Sequence, residues 1–338
     1  MDGMEFKIID SHAHPGFEKK DIEKRPGCTL IWFGAPNPSA ALIRAACGDP
    51  EPWKVITKVE EIPDFGVEHW IKYMDELGIS HMGLQAMDTE SDPPASWRWQ
   101  VPYEYVKEEF IDKYPDKFWG IGGIHYKLGP EHSLEQVEKA KEFGFLGVKM
   151  FTVLEGYPND REKCYPIYER CLKLGLHVEF HVGAEDVPGA RFKYCDPIYI
   201  QDIAIDFPDL KIVMLHCGFG LSPQRAVWIC AMHPNVYTDI SLMISPWMDL
   251  KYCHDLEHLR TLEQLIPDKV FYGTDFPVTW AFNKSTLARL KDLPLSAQFK
   301  SKLLRDNAAK FFLKKSPDEM SKGEAVTAQW SRVDIEAK

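Results

Sequence analysis

The segment Phe6-Lys7-Ile8-Ile9-Asp10-Ser11-His12-Ala13-His14-Pro15 joins a short apolar run to a polar ending that contains two histidines. A brief, continuous apolar run of this kind is typical of a buried parallel strand. His12 and His14 are two positions apart, so on an extended strand their side chains point to the same side. Two imidazoles on one side of a strand end suit a single transition-metal ion.

The same pattern recurs along the chain, with an amphipathic helical stretch between one apolar run and the next. The predicted strands are Phe6–Ile9, His81–Ala86, Phe118–Ile124, Phe145–Met150, His177–His181, Lys211–His216, Val236–Ile240 and Val270–Thr274. Eight strands that alternate with helices favour the α/β class. The pattern predicts a closed (β/α)8 TIM barrel rather than a doubly wound sheet.

Two segments depart from the repeat. Residues 15–64 form a long, proline-rich insertion after strand one, which we interpret either as a functional lid or as a surface decoration. Residues 314–338 are polar and lack a clear period, which indicates a C-terminal surface arm. The predicted domain is therefore a single barrel over residues 1–313.

Composition narrows the class of protein. The apolar fraction of 45% is ample for a large core, and the net charge of −11 argues against a nucleic-acid partner. We find no run of about 18 apolar residues and no basic, apolar leader, so we expect a cytoplasmic protein without a membrane span. The eight scattered cysteines are expected to be reduced thiols. Nucleotide-binding glycine loops and the serine-hydrolase elbow are absent from the sequence.

Polar residues follow several other predicted strands. Strand four ends at Lys149, strand five at His181, strand six at His216 and strand eight at Asp275. A single histidine after a strand is usually a satisfied core residue. Several such groups at the C-terminal face of one barrel are different, because burying them is costly unless something satisfies them together. A divalent metal ion would do so.

The motifs that carry these residues resemble the amidohydrolase superfamily. They read Ile9–Pro15, Gly147–Lys149, Val178–His181, Leu215–Gly218 and Gly273–Pro277, with Asp306–Phe312 similar to a closing helix. The local contexts resemble the "amidohydrolase 2" branch, which includes aminocarboxymuconate-semialdehyde decarboxylase and related aromatic-acid decarboxylases. The resemblance runs from about residue 8 to residue 313.

The resemblance implies a metal held by His12, His14, His181 and Asp275. Zn²⁺ is the expected ion for such a donor set, with Mn²⁺ and Fe²⁺ as alternatives. His216 would then be the general base or acid near the metal, and Asp275 would also take part in proton transfer. A homodimer is implied as well.

Lys149 has two interpretations. In two-metal relatives a lysine on this strand is carboxylated and bridges the ions. The alternative is an ammonium that pairs with a protein carboxylate or binds a carboxylate of the substrate. Tyr157 and Arg191 are further candidates for substrate contact, and His125 is held open as an additional site residue.

Two reactions are open for a small-molecule substrate. The first expectation is a hydrolase in which metal-activated water attacks an amide, lactone or ester carbonyl of a carboxylate-bearing molecule. The alternative is non-oxidative decarboxylation of an aromatic or muconate-type acid at the same metal site.

Overall fold

Eight parallel strands form one sheet, in which each strand pairs with the next parallel strand along the chain. The computed structural model describes residues 7–16, 66–92, 98–185, 187–243, 255–277 and 283–321. Most of the 15–64 insertion and residues 322–338 lie outside the described residues. The strands in the sheet are β1 (Ile8–Ala13), β2 (Ile79–Gln85), β5 (Phe118–Ile124), β6 (Gly147–Met150), β7 (His177–Gly183), β8 (Ile212–Phe219), β9 (Val236–Asp239) and β10 (Val270–Phe271).

The sheet curls round so that the chain after β10 lies beside β1. The backbone N–H of Ser11 donates to the carbonyl of Tyr272 at 2.9 Å, and Ala13 forms a parallel bridge with Phe276. The carboxylate of Asp10 adds to the contacts between β1 and the chain after β10, because it accepts hydrogen bonds from the backbone N–H and the hydroxyl of Thr274. The predicted (β/α)8 TIM barrel is therefore confirmed.

Helices follow most strands and cover the outside of the barrel. They are α1 (Val67–Leu77), α2 (Pro130–Glu142), α3 (Tyr165–Leu174), α4 (Ile198–Asp206), α5 (Pro223–Met232), α6 (Asp255–Leu265) and α7 (Asn283–Asp292). Shorter helical segments span Tyr103–Tyr105, Val106–Ile111, Tyr126–Leu128, Thr152–Glu155, Phe192–Tyr194, Ala297–Ser301, Lys302–Asp306, Ala309–Leu313 and Pro317–Ser321. None of the described helices is long and apolar enough to cross a membrane. The cytoplasmic location and the homodimer stay predictions, as does the division into barrel, insertion and arm.

Side chains fill the inside of the barrel. Ile9, Ile121 and Phe271 point inward from three strands, and Phe312 from the last helical turns packs on Trp119 with ring centroids 5.0 Å apart. This packing closes the N-terminal end of the barrel with apolar groups. The polar residues at the C-terminal ends of the strands are thereby left as the functional face.

A two-stranded antiparallel hairpin, which the sequence analysis did not predict, follows β2. Its strands are β3 (Met87–Glu90) and β4 (Arg98–Val101). The start of β3 passes close over Gly123 near the end of β5, where a Cβ atom would lie 2.6 Å from the carbonyl oxygen of Ala86. Glycine at that position is what allows the hairpin to lie against the barrel.

Candidate active site

Three side chains meet at the C-terminal end of the barrel, where β1 lies beside the chain that follows β10. Nε2 of His12 lies 3.3 Å from Nε2 of His14, and these atoms lie 3.4 and 3.3 Å from Oδ1 of Asp275. Ligands held about 2.0–2.1 Å from a tetrahedral ion are separated from one another by about 3.3–3.5 Å. The triangle formed by these three atoms, here called the triad, therefore fits a metal ion.

The backbone explains how the triad is assembled. His12 and His14 lie on or just beyond β1, two positions apart. The backbone N–H of Asp275 donates to the carbonyl of His12 at 2.8 Å, which fixes the carboxylate beside the imidazoles. Asp275 has a φ of 55°, in the left-handed region that non-glycine residues rarely adopt. Strain of this kind tends to be retained at functional sites.

Asp239, at the end of β9, orients His12. Its Oδ2 lies 2.8 Å from Nδ1 of His12, so Nε2 is the atom that faces the triad. Its Oδ1 accepts hydrogen bonds from the backbone N–H of His216 at 2.7 Å and from the hydroxyl of Ser241 at 2.7 Å. A carboxylate behind a histidine is a common way to fix the tautomer of a metal ligand.

Asp239 was not among the residues predicted from the sequence. It lies one residue before the end of the seventh predicted strand, Val236–Ile240, so its position near a strand end was the available signal. His216 itself also has a left-handed backbone, with a φ of 65°. Its Nδ1 lies 2.8 Å from Oγ of Ser241, and its ring centroid is 4.9 Å from that of His12. His12, His216 and Asp239 form a second group whose ligand atoms are close enough for an ion. The contacts of Asp239 with His12 and His216 are hydrogen bonds. We therefore assign the metal to the triad and not to this second group.

His181 lies beside the triad but outside both groups of closely spaced ligand atoms. Its ring is 4.7 Å from that of His216 and 5.0 Å from that of Phe151. Within the described part of the chain, neither of its ring nitrogens has a hydrogen-bond partner, and the same holds for Nδ1 of His14. Orphaned imidazole nitrogens in a buried site are consistent with a metal or a substrate as the missing partner.

Burial and positive charge keep these imidazoles neutral. Burial, followed by the Lys149 ammonium, holds the pKa of His12 and of His14 well below the usual 6.5. The same two causes lower the pKa of His181 to about 3. Burial, then His181, likewise lowers the pKa of His216. Neutral imidazole is the form that binds a metal ion, so the site is prepared for a cation.

Lys149, at the end of β6, lies against the triad. Its Nζ is 3.3 Å from Nε2 of both His12 and His14, and the side chain is 2% exposed. Among the described residues, no carboxylate oxygen lies within 4.0 Å of this Nζ. Burial lowers the pKa of Lys149 to about 8, against the longer-range attraction of Asp275 and Glu179. The expected pairing with a protein carboxylate at contact distance is therefore not seen in the described residues.

The remaining candidates from the sequence are Tyr157, Arg191 and His125. Tyr157 is 39% exposed and packs edge-on against Tyr194, and Arg191 is exposed. His125 is buried near Asp88, at 3.7 Å, and belongs to neither group of closely spaced ligand atoms.

Residues 9–313 match the family model described as Amidohydrolase, Amidohydro_2. The chain belongs to this amidohydrolase family and is one of its enzymes.

Individual relatives show more distant similarity. The chain is 25% identical over 243 residues to 2-amino-3-carboxymuconate-6-semialdehyde decarboxylase of Dictyostelium discoideum, a match that covers 60% of this chain and 65% of that protein. An uncharacterized TIM-barrel protein of Bordetella bronchiseptica has a TM-score of 0.68 at 21% identity, over 91% of this chain and 99% of that one. The 5-carboxyvanillate decarboxylase of Novosphingobium aromaticivorans, solved with manganese and 4-hydroxy-3-methoxy-5-nitrobenzoic acid, has a TM-score of 0.59 at 18% identity, over 93% and 98%. These structural similarities concern the fold.

Proposed function

We propose that this protein is a metal-dependent decarboxylase that removes CO2 without oxidation from an aromatic or muconate-type acid. The observation that carries the proposal is the buried Lys149 ammonium, whose Nζ lies 3.3 Å from two vertices of the triad. A carboxylate bound there would meet two positive partners at once, the metal and the ammonium. The decarboxylases among the relatives in sequence and structure support the same reaction.

His12, His14 and Asp275 would hold the metal, with His181 as the fourth ligand. A bound divalent ion supplies a Lewis acid that polarises the oxygen atoms of the substrate. Zn²⁺ suits the nitrogen-rich donor set, and the manganese of the 5-carboxyvanillate decarboxylase makes Mn²⁺ an equal choice for reconstitution.

His216 would carry the proton. Because burial holds its pKa low, the imidazole rests in its neutral form, and its conjugate acid is a strong proton donor once formed. The contact of Nδ1 with Ser241 fixes the ring and leaves Nε2 as the nitrogen that exchanges the proton. Nε2 takes up a proton from solvent and passes it to the carbon that bears the carboxylate, where a C–H bond forms from a π electron pair of the ring. The C–C bond to the carboxylate then breaks, its electron pair returns to the ring, and CO2 leaves.

The test compares the two reactions expected from the sequence. The protein is reconstituted separately with Zn²⁺, Mn²⁺ and Fe²⁺ and supplied with hydroxybenzoic and muconate-type acids, and with lactones, amides and esters. We expect CO2 release from at least one acid, with solvent deuterium incorporated at the carbon that lost the carboxylate. His12→Ala, which breaks the triad, is the matched inactive control. Hydrolysis of a lactone, amide or ester without CO2 release from any acid would overturn the proposal in favour of the hydrolase.

A further inference from the structure

The β3–β4 hairpin places an aromatic ring on the triad. Trp99 lies opposite Thr89 in the hairpin register and is 5% exposed. Its ring centroid is 4.3 Å from that of His14, with the planes inclined by 52°. Nε2 of His14 is one of the three atoms of the triad. A molecule bound at the metal would therefore lie close to the ring of Trp99.

A second aromatic ring continues this surface. Phe151 follows β6, is 2% exposed, and lies with its ring 6.2 Å from that of Trp99. The Nζ of Lys149 lies 5.8 Å from the centre of the Phe151 ring. Trp99 and Phe151 together, here called the aromatic wall, therefore flank the ammonium that we assign to the substrate carboxylate.

A partly buried polar cluster connects the hairpin to the barrel. Asp88, on β3, accepts hydrogen bonds from Nε2 of Gln136 at 2.9 Å and of Gln100 at 3.3 Å. His125 and His132 lie 3.7 and 3.5 Å from its two carboxylate oxygens. Gln136 also accepts a hydrogen bond from the backbone N–H of His125, so one side chain joins the hairpin, α2 and the end of β5.

The charge on Asp88 is favoured in this setting. Burial raises its pKa, but the contacts with His125 and Gln100 outweigh burial and hold the pKa below the usual 3.8. Asp88 pairs directly with Gln100 in the hairpin register, and Gln100 is the neighbour of Trp99. A displacement of the Asp88 side chain would therefore move Gln100, and through it the adjacent Trp99.

We propose that Trp99 is a specificity-determining residue that selects flat, conjugated acids, and that Asp88 positions it through the hairpin. The inference rests on the proposed function for its substrate class. Aromatic rings stack on flat molecules and gain about 0.5–1.5 kcal/mol per pair beyond simple burial. A puckered ring with the same polar groups cannot use that surface to the same extent.

The test measures binding, so that it does not depend on turnover. The probes are salicylate and cis-2-hydroxycyclohexanecarboxylate, which carry the same carboxylate and hydroxyl groups on a flat and on a puckered ring. Each is titrated into the metal-loaded protein by calorimetry. We expect the wild-type protein to prefer salicylate, and Trp99→Leu to reduce this preference about 3- to 10-fold, the range that one aromatic contact allows. Trp99→Phe should retain most of it.

Asp88→Asn tests the positioning role through a double-mutant cycle with Trp99→Leu. If Asp88 acts through Trp99, Asp88→Asn reduces the preference in the wild-type background and has little further effect in the Trp99→Leu background. Asp92→Asn is the matched control, since Asp92 forms an exposed ion pair with Lys127 beyond the end of β3 and should leave the preference unchanged.

Two results would overturn the inference. The preference could be unchanged in Trp99→Leu, as when the affinities for both probes fall equally, or the effects of Asp88→Asn and Trp99→Leu on the preference could be fully additive. Metal content and thermal unfolding are recorded for each variant, so that misfolding is recognised, and the non-aromatic Trp99→Met then serves in place of Trp99→Leu. Failure to release CO2 in the activity assay would refute the proposed reaction while leaving this binding result to stand or fall separately.

Discussion

Nδ1 of His12 lies 2.8 Å from Oδ2 of Asp239, and this contact turns Nε2 of the same ring toward His14 and Asp275. Asp239 is fully buried, and burial raises its pKa to about 6 despite the hydrogen bonds it accepts from His216 and Ser241. The protein thus holds a buried carboxylate behind a histidine that faces the cluster. The arrangement is expected to influence the metal without contact between Asp239 and the ion.

Asp239→Asn should weaken metal binding. The amide can present its NH2 group to His12 and favour the wrong tautomer, and loss of such a partner typically lowers metal affinity about 10- to 100-fold. Competition with a chromogenic chelator measures the affinity. Asp112→Asn is the matched control, because Asp112 forms an exposed ion pair with Lys107, and its metal affinity should stay near the wild-type value. Equal affinities in Asp239→Asn and the wild-type protein would contradict the orienting role.

Removal of a triad member should remove the metal. His12→Ala and Asp275→Ala are each expected to lose bound metal and activity together, since each deletes one vertex of the triangle. His216→Ala should keep one ion per chain and lose activity, because His216 is assigned to proton transfer. Metal content by elemental analysis, with activity on the same sample, tests both. Retention of metal and full activity in Asp275→Ala would refute the site.

The barrel could be predicted from the sequence because short apolar runs, which are typical of buried parallel strands, recur with helical stretches between them. The β3–β4 hairpin escaped prediction. Met87-Asp88-Thr89-Glu90 is short and three of its four residues are polar, so it becomes a strand only through pairing with β4 and contact with Gly123.

The site was predictable to a similar degree. His12, His14 and Asp275 were identified from their positions at strand ends, and the structure brings them together. Tyr157 was predicted from its place in the loop after strand four, and Arg191 from the ability of a guanidinium to bind a carboxylate. Both stay predictions, because neither a loop position nor a residue type fixes where a side chain points. The environment of Lys149 could not be predicted from the sequence either, because it depends on the distances from its Nζ to two imidazoles and on its burial.

Lys149→Met separates the two interpretations of this lysine. Methionine keeps the apolar stem and removes the charge. If Lys149 is an ammonium that binds the carboxylate of the substrate, the variant should keep one metal ion and bind salicylate about 10- to 100-fold more weakly, as expected for loss of a charged hydrogen bond. Metal content, calorimetry and the intact mass of the wild-type protein are the measurements. Two ions per wild-type chain, a mass increase of one carbon dioxide and loss of metal in the variant would instead establish a carboxylated bridge.

Glu155 should make stability depend on pH. It ends the helical segment Thr152–Glu155, is 6% exposed, and its Oε2 accepts a hydrogen bond from the backbone N–H of Tyr126 at 2.8 Å. Burial raises its pKa well above the usual 4.5, so the folded protein keeps a proton that the unfolded chain releases. The free energy of unfolding therefore falls as pH rises above 4.5, by up to about 1.4 kcal/mol per pH unit, until the pKa of the folded state is reached.

Glu155→Gln removes this dependence, because glutamine keeps an acceptor for Tyr126 and does not titrate. The free energy of unfolding of the variant relative to the wild-type protein should accordingly increase steadily from acidic to mildly alkaline pH. Urea denaturation at several pH values measures this difference, and effects of all other titrating groups cancel in it. Glu142→Gln is the control for the substitution itself, since Glu142 is exposed on α2 and the change should alter the free energy of unfolding little. A difference for Glu155→Gln that stays constant with pH would mean that Glu155 ionises in the folded protein as readily as in the unfolded chain.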